Sequence, residues 1–430
     1  MAERPLERLG AVDQVLSCIP GAQENEFSRY PYEVGVADLD DAMTSSIRTH
    51  DSPNSPAHVS AIPEISAGRS ALLAWYRTHR RDLPWRNTGD PYAVWVSEIM
   101  LQQTQVATAV PYFERWMARF PTVAALAAAP LEGVLHCWQG LGYYARARNL
   151  HRAAQAVMAD HSGRLPVTRD ELLRLPGIGP YTAGAVASIA FGEAVPAVDG
   201  NVRRVLARLY AIEDDLAQPA AQARIWALAE DLVRSIAPTA APGEFNQALM
   251  ELGSTVCTPK APRCLACPLQ RHCLAYQTDR VAMIPRPARR TVQRAAHAFA
   301  IVLHDESSGE VLVARRPGTG LLGGLWEFPT VEAPPEADVR LVLAAAFGLR
   351  PTHVHVHEPL LHIFTHIRLR VTPISARLAR DVAEGVSEAP ALQTYEAWQW
   401  ASPAELASLA RSTLMRKLEL RVEGDVRGAP

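Results

Sequence analysis

Four of the six cysteines lie close together in the sequence, at Cys257, Cys264, Cys267 and Cys273. Their spacing, C-x6-C-x2-C-x5-C, places four thiols within seventeen residues. In a cytosolic chain, such a group indicates a metal or an iron–sulfur centre rather than disulfides. The ligand type alone leaves zinc open as the metal. Lysine and arginine residues lie between the cysteines, so a bound centre would hold basic side chains ready for phosphates.

A second stretch, LPGIGPYTAGAVASIAFGEAVPAVD, runs from Leu175 to Asp199 and combines a tight turn, a small-residue helix and a lone carboxylate. Gly177 and Gly179 are free to take positive φ in the turn. The pattern predicts a hairpin between two helices, and the N–H groups at the start of the second helix would suit a phosphate. Taken alone, such a turn is more often an ordinary helical hairpin. The purpose of Asp199 stays open at this point.

Length and composition limit the number of domains and the classes of protein to which the chain can belong. A chain of 430 residues is too long for one core and predicts two or three domains. Its apolar content of 48% is ordinary, and no apolar run approaches membrane-spanning length. The N-terminal residues include several acidic side chains and no apolar core segment, a pattern that fits neither a secretory signal nor a transit peptide. We therefore expect a cytoplasmic protein with no membrane partner.

The net charge of −2 hides a strong regional contrast. Residues 1–60 carry four basic and ten acidic side chains, whereas residues 257–294 carry eight basic side chains and one acidic one. A near-neutral total therefore does not exclude a nucleic-acid partner, because the basic segment containing the cysteines could face phosphates.

Hydrophobic spacing predicts a helical body followed by a mixed domain. One helix is expected at Tyr92–Val106, with Glu98 off its main apolar face. Further helices are expected at about 111–119, 131–138, 145–159, 169–174, 202–210, 219–236 and 243–253. After a Pro/Arg-rich linker at 284–295, strands are predicted at 296–303, 310–315 and 367–374, with a helix near 336–347. This succession favours a small α+β domain.

Four segments, of which the third lies in the stretch already described, follow one another in this order: VSEIMLQQTQV (96–106), GLGYYARARNL (140–150), LPGIGPYTAGAV (175–186) and VDGNVRRVLARL (198–209). Together with the cysteine spacing, they resemble the adenine DNA glycosylases of the MutY type, in the endonuclease III superfamily, over roughly residues 66–420. The resemblance implies a mainly α helix-hairpin-helix glycosylase domain at 63–283, with a [4Fe–4S] cluster on the four cysteines of loop 257–273. Residues 1–62 would be disordered or an over-extended start, and 422–430 a tail.

The resemblance also implies catalytic roles, carried over residue by residue. Glu98, with a pKa raised by apolar neighbours, would protonate the adenine leaving group. Asp199, kept ionised by a helix start, would stabilise an oxocarbenium-like sugar or trap it covalently. Tyr181 lies where bifunctional members carry their Schiff-base lysine, and the only lysines are Lys260 and Lys417, so a monofunctional enzyme is expected. Taken alone, Glu98 fits a solvated helix position and Asp199 an N-cap equally well.

The family's DNA-reading residues match positions in this chain as well. Gln103 and Tyr143 correspond to residues that enter the base stack near the lesion, as an enzyme that extrudes its target base requires. Gly177 and Gly179 would hold the DNA backbone. The alternatives are a surface glutamine and a packed tyrosine at a helix end.

The segment GLLGGLWEFPT (320–330), with AAAFGL (344–349), resembles a Nudix domain such as that of MutT. A working Nudix helix needs oxygen ligands for Mg²⁺, but the matching positions hold Leu341, Val342, Ala345 and Ala346. The resemblance therefore implies a C-terminal α+β Nudix-like domain, at 296–421, that recognises 8-oxoguanine without catalysis. Its reading loop would be Phe364, Thr365 and His366, where the family has Phe-Ser-His; the alternative is an ordinary strand end. We expect His353, His355 and His357 to lie on the surface of one strand face.

The resulting expectation is a monomeric bacterial enzyme, associated with the nucleoid, that acts on double-stranded DNA. It would hydrolyse adenine from A opposite 8-oxoguanine and, more slowly, from A opposite G. An endonuclease III-like bifunctional pyrimidine glycosylase/lyase is the first alternative, and Tyr181 opposes it. A non-catalytic DNA-damage-binding protein is opposed by the presence of both Glu98 and Asp199. A Nudix pyrophosphatase with a DNA-binding appendage is opposed by the apolar or small residues at the metal-binding positions of the Nudix helix.

Overall fold

The structure is a computed structural model that describes residues 65–86, 88–236, 240–286, 292–348, 352–378 and 389–427. The N-terminal segment 1–62 lies outside the described residues, as do parts of the linker 284–295 and of the tail 422–430. The described residues form two compact units. The helical unit comprises residues 65–129 and 148–286, and the sheet unit comprises residues 130–147 and 292–427. The domain boundaries given above stay predictions.

Most of the described residues before the linker are helical, as predicted. The described helices there are α1 (Ile65–His79), α2 (Pro91–Leu101), α3 (Val106–Arg119), α4 (Val123–Ala128), α5 (Leu131–Trp138), α6 (Ala145–Asp160), α7 (Arg169–Leu172), α8 (Pro180–Phe191), α9 (Gly200–Leu209), α10 (Pro219–Ile236), α11 (Pro242–Thr255) and α12 (Leu274–Gln277). Helix α5 and the first turn of α6 belong to the sheet unit. In the described part of the chain, no helix is long and apolar enough to cross a bilayer.

Two helices of the helical unit, α2 and α8, are buried on nearly every side and pack against each other. A helix that is apolar all round is stable only inside a protein. Asp90 begins α2 by accepting a hydrogen bond from the Tyr92 N–H at 3.0 Å, and Gly192, with φ of 75°, ends α8 in the left-handed region. These two helices carry Glu98 and Tyr181 into the interior.

The predicted single helix from Tyr92 to Val106 is wrong at its end. Helix α2 stops at Leu101, and α3 begins at Val106. Between them lies a polar Gln-Gln-Thr-Gln turn in which Gln103 is exposed and takes a φ of 56°. The apolar spacing continued through Val106 only because that residue belongs to the next helix.

The sheet unit contains one mixed sheet whose described strands are β1 (Arg294–Asp305), β2 (Val311–Arg315), β3 (Trp326–Glu327), β4 (Thr330–Glu332), β5 (Thr352–Val356), β6 (Leu360–Ile363), β7 (Ile367–Leu378) and β8 (Ala397–Ala401). The order β3-β2-β1-β7-β5 forms its main path, with β4 on β1, β6 on β7 and β8 on β2. Strands β1 and β7 are parallel over twelve residue pairs. The long strands confirm those predicted at 296–303, 310–315 and 367–374.

Both faces of this sheet are covered. Phe299, Ile301 and Leu303 of β1 pack with helix α13 (Val339–Phe347), whereas Ala300 and Val302 pack with helix α15 (Thr413–Arg427). A short helix α14 (Pro403–Ser408) precedes α15. The alternation along β1 follows from the two-residue period of a strand.

The expectation that three histidines lie on the surface of one strand face is wrong in part. His353 and His355 are exposed, but His357 is buried and its ring bonds to Ser375 Oγ at 2.8 Å. His353 takes a φ of 49°, and the register of β5 shifts between Thr352 and His355. The irregular strand therefore breaks the simple alternation.

Candidate active site

Glu98 lies on α2 with only 6% of its surface exposed. Burial is the main reason that its pKa is raised to about 7; the Tyr181 hydroxyl opposes the shift, the charge of Asp199 adds to it and Arg86 opposes it. The predicted rise is thus confirmed. A carboxyl with a pKa near 7 keeps a large protonated fraction at neutral pH, as a general acid requires.

Tyr181, in the first turn of α8, is the direct partner of this carboxyl. Its hydroxyl donates a hydrogen bond to a Glu98 carboxylate oxygen and lies 3.4 Å from the Sδ atom of Met250 on α11. Burial and the charges of Glu98 and Asp199 raise the pKa of Tyr181 well above its ordinary value. The phenol therefore stays protonated and fixes the orientation of the carboxyl.

Asp199 is the N-cap of α9, as its position before Gly200 suggested. One carboxylate oxygen accepts from the Val202 N–H at 2.7 Å, and the other accepts from Asn201 Nδ2 at 2.8 Å. Burial nevertheless raises the pKa of Asp199 in net, although these hydrogen bonds lower it. The hydrogen bonds at the helix start favour the ionised carboxylate, as expected, but desolvation outweighs them in the net shift of the pKa.

A buried asparagine fixes the segment that leads to Asp199. Asn246 on α11 donates to Ser188 Oγ at 2.8 Å and to the Val195 carbonyl at 2.9 Å, and accepts from the Ala197 N–H at 3.2 Å. The side chain of Asn246 thus links Ser188 on α8 to two backbone groups of the segment before Asp199, and leaving these groups unpaired would cost free energy. Asn246 therefore sets where Asp199 enters α9.

Two glycines let neighbouring backbones approach this site closely. A Cβ atom on Gly184 of α8 would lie 2.0 Å from the Pro196 carbonyl oxygen, and one on Gly253 of α11 would lie 2.6 Å from Asn201 Cβ. Larger residues at these positions would push the Asp199 segment away from α8 and α11.

A second buried carboxylate, Glu251 on α11, holds the loop before α2. It pairs with Arg81 and Arg86, each at 2.7 Å, and its own side chain is fully buried. Burial alone would raise the pKa of Glu251, but the two guanidinium groups together hold it below its ordinary value. Glu251 is thus a charged structural support, in contrast to Glu98, which has no arginine bonded to it among the described contacts.

The glycine turn precedes α8. Gly177 takes a φ of 74°, as predicted, and a Cβ atom there would lie 2.4 Å from Asn149 Cβ on α6. The prediction of positive φ is wrong for Gly179, which has a φ of −93° and is the N-cap of α8. Of the two glycines in this turn, Gly177 is the one whose backbone conformation favours glycine.

The four cysteines line one cavity of the helical unit, and none forms a disulfide. Arg208, buried near the end of α9, donates to Cys257 Sγ at 3.3 Å. It also donates to the carbonyls of Thr258, Pro259 and Ile284 at 2.8, 3.2 and 2.8 Å. The helix that begins at Asp199 therefore ends against the cysteine loop.

The thiols have the donor chemistry of an iron–sulfur site. Burial raises the pKa of Cys267 to about 12 and also raises that of Cys264 and Cys273. A bound cation would reverse these shifts, since coordinated thiols are deprotonated. No three His, Cys, Asp or Glu side chains of the described residues are grouped to hold a single metal ion. Four thiols that line one cavity are a ligand set that fits either a [4Fe–4S] cluster or a four-cysteine zinc site.

The sheet unit holds the other predicted DNA-reading residues. Tyr143 has a φ of 49°, follows Gly142 with a φ of 72°, and is 44% exposed. Arg146 packs between the rings of Tyr143 and Trp138 and donates to the Gly142 carbonyl at 3.1 Å. A left-handed backbone at a non-glycine residue is strained, so the surrounding contacts must hold the turn.

Phe364, Thr365 and His366 form the tight turn between β6 and β7, which the Phe364 N–H closes by donating to the Ile367 carbonyl at 2.8 Å. Phe364 packs into the core while Thr365 is exposed. The Tyr143 hydroxyl lies 3.0 Å from Thr365 Oγ1. The structure thus joins two residues that the sequence separates by more than 200 positions.

Sequence reasoning found the residues that carry distinctive motifs and missed those that support them. Met250, Asn246, Glu251 and Arg208 are ordinary residues on helices α9 and α11. A buried asparagine or glutamate within an apolar helix was the available signal, but nothing in the sequence showed its partners.

The chain matches the family model of HhH-GPD superfamily base excision DNA repair proteins over residues 96–230 and that of the NUDIX domain over residues 298–419. It is 38% identical to the adenine DNA glycosylase of Mus musculus, covering 85% of this chain and 79% of the relative. The Homo sapiens adenine DNA glycosylase is 37% identical, with 83% and 74% covered. A solved thermostable thymine-DNA glycosylase is 29% identical, covers 50% of this chain and 99% of its own, and has a TM-score of 0.44. The chain therefore belongs to the family of adenine DNA glycosylases, with a helix-hairpin-helix domain followed by a Nudix domain.

Proposed function

We propose that this enzyme hydrolyses the N-glycosidic bond of adenine in duplex DNA, from A opposite 8-oxoguanine and, more slowly, from A opposite G. The observation that carries the proposal is the buried Glu98, with a pKa of about 7, bonded to Tyr181 and influenced by the charge of Asp199. This is a pair of carboxyl groups in two different environments, which is how proteins divide acid and base roles.

In the proposed mechanism, the target adenine leaves the base stack and enters the helical unit. Protonated Glu98 gives its proton to the base, and the electrons of the glycosidic bond leave with the adenine. The sugar becomes an oxocarbenium-like cation, which ionised Asp199 stabilises directly or captures as a covalent intermediate. Water then adds at the anomeric carbon, breaking the bond to Asp199 where one has formed, and its proton passes to the Glu98 carboxylate, so that an abasic site remains. Tyr181 orients Glu98 throughout.

We also propose that the reaction stops at the abasic site. A lyase of this superfamily forms a Schiff base with an amine, and the phenol of Tyr181 cannot do so. The positions of the two lysines support this proposal, because neither occupies the position of Tyr181. Lys260 lies in the cysteine loop and Lys417 on α15.

Preference for 8-oxoguanine is assigned to the sheet unit. Thr365 is exposed on a tight turn, and the strained turn of Tyr143 presents a ring next to it. A threonine hydroxyl can donate to or accept from a base edge. Gln103, exposed on its own left-handed turn in the helical unit, is proposed as a second residue that enters the stack.

The cofactor proposed for Cys257, Cys264, Cys267 and Cys273 is a [4Fe–4S] cluster. When bound, it would cross-link the loop and hold its basic side chains next to DNA phosphates. The test is the colour and metal content of the purified protein. We expect a broad brown absorbance with about four irons and four sulfides per chain; stoichiometric zinc without iron would contradict the assignment.

One experiment tests the proposed activity. Duplexes with A opposite 8-oxoguanine, A opposite G, or thymine glycol are incubated under single-turnover conditions, and strand breaks are measured with and without alkali. We expect breaks in both adenine duplexes only after alkali, and none with thymine glycol. Breaks without alkali would refute the monofunctional proposal. Intact adenine duplexes after alkali would refute the function itself.

A further inference from the structure

Residues 130–147 precede the hairpin in the sequence but belong to the sheet unit. We name these residues the reading segment, since they contain Tyr143. Among the contacts described for this segment, the following hydrogen bonds join that of Tyr143 in fixing it to the rest of the sheet unit. Trp326 Nε1 donates to Glu132 Oε1 at 2.9 Å, and the Tyr144 hydroxyl donates to the Arg411 carbonyl at 3.3 Å.

The bond between Glu132 and Trp326 is the stronger of the two. The indole nitrogen is a donor only, and a hydrogen bond to a carboxylate is shorter and stronger than one between neutral groups. Trp326 is 5% exposed, so its N–H has little access to water if Glu132 is removed. The guanidinium of Arg315 lies 5.6 Å from the indole centre and holds the ring from another side.

Helix α5 and one hydrogen bond at its end connect Glu132 to Tyr143. Glu132 lies in the first turn of α5, and Trp138 at the end of α5 donates from its indole to the Gly142 carbonyl at 3.1 Å. Gly142 directly precedes Tyr143. A shift of α5 would therefore move the Tyr143 turn, and with it the contact to Thr365.

We propose that Glu132 is a positioning residue for lesion recognition, which acts by bonding Trp326 and thereby holding Tyr143 against Thr365. This inference rests on the proposed preference for 8-oxoguanine. Glu98, Tyr181 and Asp199 lie in the helical unit, so loss of the bond lowers the preference for 8-oxoguanine and leaves adenine release opposite G unchanged.

The test compares Glu132→Ala, Trp326→Phe and the double variant with the wild type. Rate constants for adenine release at subsaturating enzyme are measured on duplexes with A opposite 8-oxoguanine and A opposite G. We expect each single variant to lose about three- to fivefold of the rate ratio between the two duplexes. The double variant is expected to lose no more than either single one, because all three lack the same bond.

Two control variants separate a positioning role from general damage to the fold. Glu132→Gln keeps an oxygen acceptor and should retain most of the ratio, whereas Glu336→Ala removes an exposed glutamate of the same unit and should change nothing. An equal fall on both duplexes, or a ratio within twofold of wild type in Glu132→Ala, would overturn the inference. A wild type that shows no ratio at all would instead refute the proposed lesion preference, before any variant is measured.

Discussion

The candidate active site of the helical unit and the proposed DNA-reading residues of the sheet unit differ in how far they are exposed to water. Glu98 is 6% exposed, whereas Tyr143 is 44% exposed. The first site removes a carboxyl from water so that its pKa rises to about 7. The second presents neutral hydroxyl groups, at the surface, on turns that other residues hold. Chemistry needs desolvation here and recognition needs access, so substitutions should separate rate from selectivity.

The largest effect is expected at Asp199. Asp199→Asn keeps the shape of the side chain but removes the charge proposed to stabilise the sugar cation, so base release should fall by about 1,000-fold or more. Duplex affinity should stay near the wild-type value, measured by fluorescence anisotropy. Asp170→Asn, an exposed change on α7, is the matched control. Near-normal release by Asp199→Asn would remove this residue from the mechanism.

Glu98→Gln should cost about 100- to 1,000-fold in base release on both adenine duplexes, because the amide has no acidic proton to give. The ratio between the duplexes should stay unchanged, as measured by single-turnover kinetics. If Glu98→Gln instead lost the preference for 8-oxoguanine but kept the rate of adenine release opposite G, the rate could not be assigned to the helical unit and the selectivity to the sheet unit.

A substitution of Glu251 tests whether this buried carboxylate supports the fold rather than the reaction. Glu251→Ala leaves Arg81 and Arg86 without their shared carboxylate, so the free energy of unfolding should fall by about 3 kcal/mol. Urea unfolding measures this. Glu244→Ala, on the same helix, removes the more exposed pair with Arg77 and should cost below about 1 kcal/mol. Equal losses would mean that Glu251 is no special support.

The smallest effect is expected at Thr365. Thr365→Ala removes a hydroxyl and should reduce the preference for 8-oxoguanine by about three- to fivefold, with adenine release opposite G unchanged. Thr365→Ser, which keeps the hydroxyl, should restore the preference. The rate ratio between the two duplexes is the readout, and an unaltered ratio in Thr365→Ala would assign recognition to other groups.

The sequence predicted the residues whose types are unusual for their surroundings. The four cysteines, the turn at Gly177 and the lone carboxylate after a small-residue helix were visible because their spacing is distinctive. Glu98 became visible through the family resemblance, and burial then explained its pKa.

Properties that depend on several distant segments could not be predicted. Asn246 and Glu251 gain their roles from partners on other loops and helices. The polar turn at Gln103 was hidden because apolar spacing continued into the next helix. The net rise in the pKa of Asp199 depends on how deeply its surroundings bury it, whereas the sequence showed only the helix start.

The most direct test of the account is the pH dependence of single-turnover adenine release from A opposite 8-oxoguanine. If Glu98 acts as the proposed acid with a pKa of about 7, the rate should fall above that pH, by about tenfold per unit at its steepest. Tyr181 lowers the pKa of Glu98, so Tyr181→Phe should move this fall to higher pH. A rate constant that stays level to pH 9 would contradict the role of Glu98.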